Sequence, residues 1–244
     1  MKQLRSSANG FTLVELAIVM IIIGLLIGGV MKGQELVQNS KATGTIAQIK
    51  DIEAANLLFR DMYNTWPGIM TNAGVRIPGC VDLCEDYAGL TQLNTTPGGR
   101  QGDSAIFFLH LAAANLLNGI NQAVGPNVWG GYQPAAKIGG GFGVGHTDPA
   151  VAQNFVELIP GDNTPAAGLY LVLTALPAEI PYSFMRPIIA YKIDTKLDDG
   201  QPDSGSILSN ESGNSPAGGS CGSNTGYIEN ESIGACFLYI RIGK

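Results

Sequence analysis

Glu15 is a single carboxylate inside residues 11–31, FTLVELAIVMIIIGLLIGGVM, a run with no other charge, bounded by Arg5 upstream and Lys32 downstream. An ionised carboxylate within a membrane span costs about 2.5–3.5 kcal/mol, so it requires a partner or a function. Snorkelling to the headgroups is the plain alternative for an acid this near the start of the run. Asp194, Asp198 and Asp199, followed by Gly200, form the densest acidic cluster of the remaining chain. Oxygen-rich loops of this kind bind calcium, yet the spacing lacks the alternating ligands and closing Glu of an EF-hand. A solvated helix end with an Asp-Gly turn is the simpler reading. Cys80 and Cys84 are spaced C-x3-C, and Cys221 and Cys236 are spaced C-x14-C. They allow two local disulfides, with a four-thiolate zinc set as the alternative. His110, within an apolar segment, and His146, beside Thr147-Asp148, have no nucleophile at a recognisable spacing; they read as a packed and a capping-loop histidine. GGGFGVG at 139–145 lacks the Lys-Ser/Thr of a phosphate-binding loop and reads as a flexible surface loop. No catalytic constellation emerges, and the chain is not read as an enzyme.

The apolar run decides the architecture that must position these groups. At about 1.5 Å per residue it spans roughly 30 Å, the thickness of a bilayer's hydrocarbon core. The leader MKQLRSSANG carries Lys2 and Arg5 and no acid, so the positive-inside bias keeps the N-terminus cytoplasmic and exports the chain beyond residue 32. A secretory signal peptide would have a shorter apolar region and a small-residue cleavage site after it, and neither is present. Export to an oxidising compartment favours the pairing of Cys80 with Cys84 and of Cys221 with Cys236. Closing the second loop is worth about 3 kcal/mol in the chain-entropy model. The 244 residues carry 14 Lys+Arg against 20 Asp+Glu, a net charge of −6, which argues against nucleic acid as a partner.

No proline interrupts residues 11–66, and Pro67-Gly68 supplies a stop, so one helix of about 55 residues, roughly 80 Å long, is expected. Ile52, Ala55, Phe59, Met62, Tyr63 and Trp66 recur at helical spacing and form its packing stripe. Gly24/Gly28 and Gly29/Gly33 give two G-x-x-x-G spacings, either for close helix approach or as ordinary membrane-helix glycines. Beyond residue 68 the composition turns Gly-, Pro-, Asn- and Thr-rich. A capped helix from Asp103-Ser104 to Gly119, a second after Asp148-Pro149, a strand at Leu169–Leu173, a helix within 182–197, and sheet-closing strands at Tyr227–Ile228 and Phe237–Ile242 are expected.

Gly10 followed by Phe11, Thr12, Leu13, Val14, Glu15 and Leu16, behind a short basic leader, resembles the N-terminus of prepilins, the precursors of type IV pilins and of the pseudopilins of type II secretion systems. The resemblance covers residues 5 to about 36. It implies cleavage after Gly10 by a membrane-embedded prepilin peptidase/methyltransferase, N-methylation of Phe11, and retention of the apolar helix. Processing would take the formal side-chain charge from −6 to −8. It implies that Glu15 pairs with the α-ammonium of Phe11 on a neighbouring subunit as the chain joins a homo- or hetero-polymer, driven by an inner-membrane platform and a cytoplasmic ATPase. The implied division is a leader (1–10), a transmembrane and polymerisation helix (11–32), the periplasmic half of the long helix (33–67) and an exported head (68–244). The implied fold is α+β and pilin-like, the long helix laid on a C-terminal antiparallel sheet with inserted short helices. The expected place is the bacterial inner membrane, single-pass, and then a periplasmic or extracellular filament. Many type IV pilins have a bridge resembling Cys221–Cys236, and some major pseudopilins bind calcium in C-terminal loops. A minor pilin acting as a tip adhesin or DNA-uptake receptor is the alternative role. Asn94, Asn210 and Asn230 match the Asn-x-Ser/Thr pattern, but a prepilin leader implies a bacterium, where that glycosylation machinery is usually absent.

Overall fold

The computed structural model describes residues 11–80, 84, 93, 103–147, 166–175, 184–209, 221–223, 226–228 and 236–243. Gly10, the three Asn-x-Ser/Thr asparagines and the helix expected after Pro149 lie outside them. The chain divides into two compact units, Met1–Lys41 and Ala42–Lys244. One uninterrupted helix, α1 (Leu13–Tyr63), contributes to both.

In the first unit α1 is exposed all round, including every apolar residue from Leu13 to Val37. In the second unit it is one-faced. Ala42, Thr45, Ile49, Ile52, Ala55, Asn56 and Phe59 are buried at three- and four-residue steps, the period that keeps side chains on one side of a helix. The expected stripe is shorter at its end: Tyr63 and Trp66 are partly buried and Met62 is 60% exposed. The helix also stops before residue 66. Asn64 adopts φ 53°, a left-handed conformation that ends the run, and its N–H still bonds to the carbonyl of Arg60 at 2.8 Å.

The short helix α2 (Ala73–Arg76) leads to α3 (Asp103–Ala113), which ends well before Gly119. Asn115 takes the left-handed position (φ 55°), and the N–H groups of Asn115 and Leu116 bond back to the carbonyls of Ala112 (3.0 Å) and Leu111 (2.9 Å). That pair of bonds is a Schellman cap. An asparagine thus closes α3, and Gly119 takes its positive φ (88°) further along the chain.

Strands β1 (Gly141–Thr147), β2 (Gly168–Thr174), β3 (Ile207–Ser209) and β6 (Leu238–Gly243) form an antiparallel sheet in the order β1-β2-β6-β3. Helix α4 (Pro187–Leu197) precedes β3, with proline in its first turn, where no N–H is needed. Phe142, Val144, Leu171, Leu173, Leu238 and Ile240 on one sheet face join the buried stripe of α1, Phe107 and Phe108 of α3, and Ile189 and Ile193 of α4 in one core. Tyr170, Val172, Leu208, Phe237 and Tyr239 form a second cluster, in which Phe237 and Tyr239 meet edge to face at 5.3 Å. The architecture is therefore α+β and pilin-like.

Two expectations about strands are corrected. Residues 141–145 of GGGFGVG lie in a buried edge strand rather than a flexible loop. A Cβ at Gly141 would lie 2.3 Å from the ring of Trp129, whose indole N–H donates to the carbonyl of Ala175 at 2.8 Å. Glycine there makes room for the tryptophan. Two outward N–H groups of β1 are occupied: Phe142 donates to the Pro134 carbonyl (3.0 Å) and Val144 to the Ser104 hydroxyl (2.9 Å), which blunts that part of the edge. Residue 227 does not join the main sheet. Strand β5 (Gly226–Tyr227) pairs only with β4 (Gly222–Ser223), because β6 already has β2 on one side and β3 on the other.

Gly141→Val should overpack the Trp129 contact and destabilise the second unit by about 1–3 kcal/mol. Denaturant melts followed by Trp fluorescence check this, with Val75→Ala, at an 87% exposed position, expected to be neutral.

Candidate processing and assembly site

At the start of α1, Thr12 and Glu15 bond reciprocally. The Thr12 N–H and hydroxyl donate to Glu15 Oε2 at 2.9 and 2.8 Å, and the Glu15 N–H donates to Thr12 Oγ1 at 3.2 Å. This is a capping box, in which two otherwise orphaned helix N–H groups satisfy themselves on the side chains of a T-x-x-E sequence. The Glu15 carboxylate is thereby drawn to the N-terminal end of the helix, beside Phe11. Phe11 itself precedes the helix and is 89% exposed. Thr12 is the site residue that a charge argument alone does not find, although T-x-x-E before an apolar run is a readable signal.

The helix that begins there is long and apolar enough to cross a membrane by length and composition, and its most apolar 18-residue window is 0% buried within the chain. Gly24, Gly28, Gly29 and Gly33 have no atom within 4 Å of where a Cβ would stand, so no contact within the chain requires glycine at these positions.

In the second unit Cys80 is bonded to Cys84 and Cys221 to Cys236. The second bond fastens the β4–β5 ribbon to the residue before Phe237 and β6. Both bonds remove the thiolates that a zinc set would need. His110 is buried in α3 near Cys80 and Cys84, accepts the Gly68 N–H at Nδ1 (3.0 Å), and stacks 6.0 Å from Phe59. It is a packed histidine. His146 lies in β1 opposite Leu169, not in a capping loop, because the strand runs on past the glycines.

The ligand oxygens of Asp194, Asp198 and Asp199 come within 4.8 Å of one another. Each carboxylate is occupied by its own chain. Asp194 accepts from the Tyr227 hydroxyl (2.7 Å) and the Gly200 N–H (3.1 Å). Asp198 accepts from the N–H groups of Ser206 and Ile207, the latter at 2.9 Å. Asp199 accepts from the Gln201 N–H (2.9 Å) and the Ser204 hydroxyl (2.6 Å). Far from being wholly solvated, the cluster holds the turn between α4 and β3, with Asp194 buried. Burial pushes the Asp194 carboxyl up to about 7 against the opposing pull of the Tyr227 and Gly200 bonds, with Asp199 and Asp198 adding to the rise. Burial, together with Asp194, holds the Tyr227 phenol far above its ordinary value.

A long apolar helix opening on a capping box, succeeded by an antiparallel sheet with short helices, defines a pilin-like class of protein. Over residues 5–31 the chain matches the family described as the prokaryotic N-terminal methylation motif, the signature of prepilin-type proteins, type IV pilins and pseudopilins. Proteins with this motif are structural rather than enzymatic, and the motif implies processing by prepilin peptidase and polymerisation with pilins. No curated protein and no solved structure matches the chain.

Folded Asp194 keeps a proton that the unfolded chain loses from about pH 4 upward, so its contribution to stability falls as pH rises towards 7 and is gone above it. The melting temperature of the wild type should therefore drop between pH 5 and pH 8. Asp194→Asn should flatten that slope in thermal melts across the same range.

Proposed function

We propose that the protein is a structural subunit of a type IV pilus or type II secretion pseudopilus, cleaved after Gly10, N-methylated at Phe11 and polymerised through its apolar N-terminal helix. Its mechanism is assembly rather than catalysis. The observation that carries the reading is the T-x-x-E box at the head of α1, whose apolar residues from Leu13 to Val37 are all exposed, within the matched methylation motif. The precursor is stored in the inner membrane with its N-terminus in the cytoplasm, and the second unit is displayed outside. Lipid solvates the stem as well as neighbouring stems do, so extraction needs work from a cytoplasmic ATPase acting through an inner-membrane platform. In the polymer, Glu15 exchanges its bonds to Thr12 for the amine of Phe11 on the next subunit. A carboxylate in an apolar bundle is costly alone and tolerable when paired, and that requirement sets the axial register.

We further propose that Asp194, Asp198 and Asp199 act as internal caps for the turn between α4 and β3 and need no cation, since their carboxylates already accept bonds from their own chain.

Glu15→Leu should leave export and cleavage largely intact, read by N-terminal mass spectrometry, and abolish filaments in electron micrographs of sheared surface fibres. Filaments in normal number from that variant would defeat the pairing. Millimolar calcium should leave the melting temperature unchanged. A calcium-induced rise that disappears in Asp198→Asn/Asp199→Asn would instead establish a metal site.

A further inference from the structure

Beyond its asparagine cap, α3 gives way to open backbone that runs to a 3-10 turn at Gln122–Val124. The last N–H tied back to α3 is that of Leu117, to the Leu111 carbonyl (3.3 Å), and Asn121 donates next, to the Gly130 carbonyl (2.8 Å). Residues 117–121 belong to no helix, strand or turn. Asn118 and Gly119 stand in this gap, and both are exposed. Among the described residues, neither the Asn118 carboxamide nor the Gly119 N–H takes part in a hydrogen bond. No atom lies within 4 Å of where a Cβ on Gly119 would stand. The chain has one other Asn-Gly pair, Asn9-Gly10 in the leader.

We propose that Asn118 is a site of spontaneous deamidation, with its own backbone as the nucleophile and water as the co-reactant. Hydroxide takes the Gly119 amide proton, and the nitrogen attacks Asn118 Cγ. A C–N bond closes a five-membered succinimide as the bond from Cγ to the carboxamide nitrogen breaks. That nitrogen takes a proton from water and leaves as ammonia, which returns the hydroxide. A second water opens the ring at either carbonyl, leaving an aspartate or an isoaspartate at position 118. Three features of the site favour the reaction. Glycine has no side chain to shield its nitrogen or to restrict the backbone. No hydrogen bond has to be given up by either reacting group. The irregular backbone is free to bring the nitrogen onto Cγ, which a helical ladder would prevent. Asn118 lines a cavity of about 370 Å³ together with Gln48 and Asp51 of α1. The product therefore gives that cavity a second acid, and the isoaspartate form also lengthens the main chain by one atom.

The test uses the full chain, purified in detergent and incubated in warm, mildly alkaline buffer, with a matched sample unfolded in urea. Tryptic digestion releases residues 101–137 as one peptide, which carries Asn115, Asn118, Asn121 and Asn127. Fragmentation mass spectrometry should show the amide nitrogen exchanged for oxygen at position 118, as both aspartate and isoaspartate. The native chain should react within about fivefold of the unfolded rate, because no opening of the fold has to come first. Asn115, Asn121 and Asn127 precede Leu116, Gln122 and Val128 and should remain amides. Conversion should quicken as pH rises, since the attacking nitrogen must lose its proton. A native chain slower than the unfolded one by more than that margin would overturn the proposal, because the fold would then protect the site. So would conversion of the other three asparagines as fast as Asn118, or a product that is aspartate alone, which a succinimide does not give.

Discussion

One helix answers to two surroundings, and the rest of the structure depends on how it does so. Through the first unit α1 presents apolar side chains in every direction, which suits a medium with no water in it. Through the second unit the same helix restricts its buried residues to one side, from Ala42 to Phe59, and there it forms one wall of the core. The change of pattern carries the organisation of the chain with no break in the backbone. Helical hydrogen bonds close within the segment, so one conformation satisfies its own polar groups in both settings.

Much of this is legible in the residues. Period and composition place the long helix, the absence of proline lets it run, and proline suits the start of α4. A short apolar run makes Leu169–Leu173 readable as a strand. Other features need the tertiary structure. Propensity puts the end of α3 at Gly119, yet Asn115 accepts the same left-handed geometry at modest cost and comes first. The glycines of 139–145 look like a loop because nothing local reveals that Trp129 lies over Gly141. A glycine-rich edge strand becomes sensible only when a neighbouring ring occupies the space of the missing side chain. Tyr227 reads as part of the sheet because its strand character is local, whereas the occupancy of both sides of β6 is not.

The candidate assembly site shows the same division. Glu15 is conspicuous as a charge out of place, since the cost of burying it is a property of the residue and its apolar neighbours alone. Its tie to Thr12 is present in the T-x-x-E spacing but is easily hidden behind the charge argument. The acidic cluster shows the reverse. Composition suggests a solvated helix end, but Asp194 is buried, and it links α4 to a ribbon more than thirty residues further along through the Tyr227 hydroxyl. No periodicity argument reaches across such a separation.

The position of β6 sets a schedule. A strand that occupies the middle of the sheet comes after both of its neighbours, β2 and β3, in the chain. Strands β2 and β3 thus have no strand between them to join them until residues 238–243 have been made. The Cys221–Cys236 link ends two residues before that strand, so it ties the β4–β5 ribbon to the start of the element that completes the sheet.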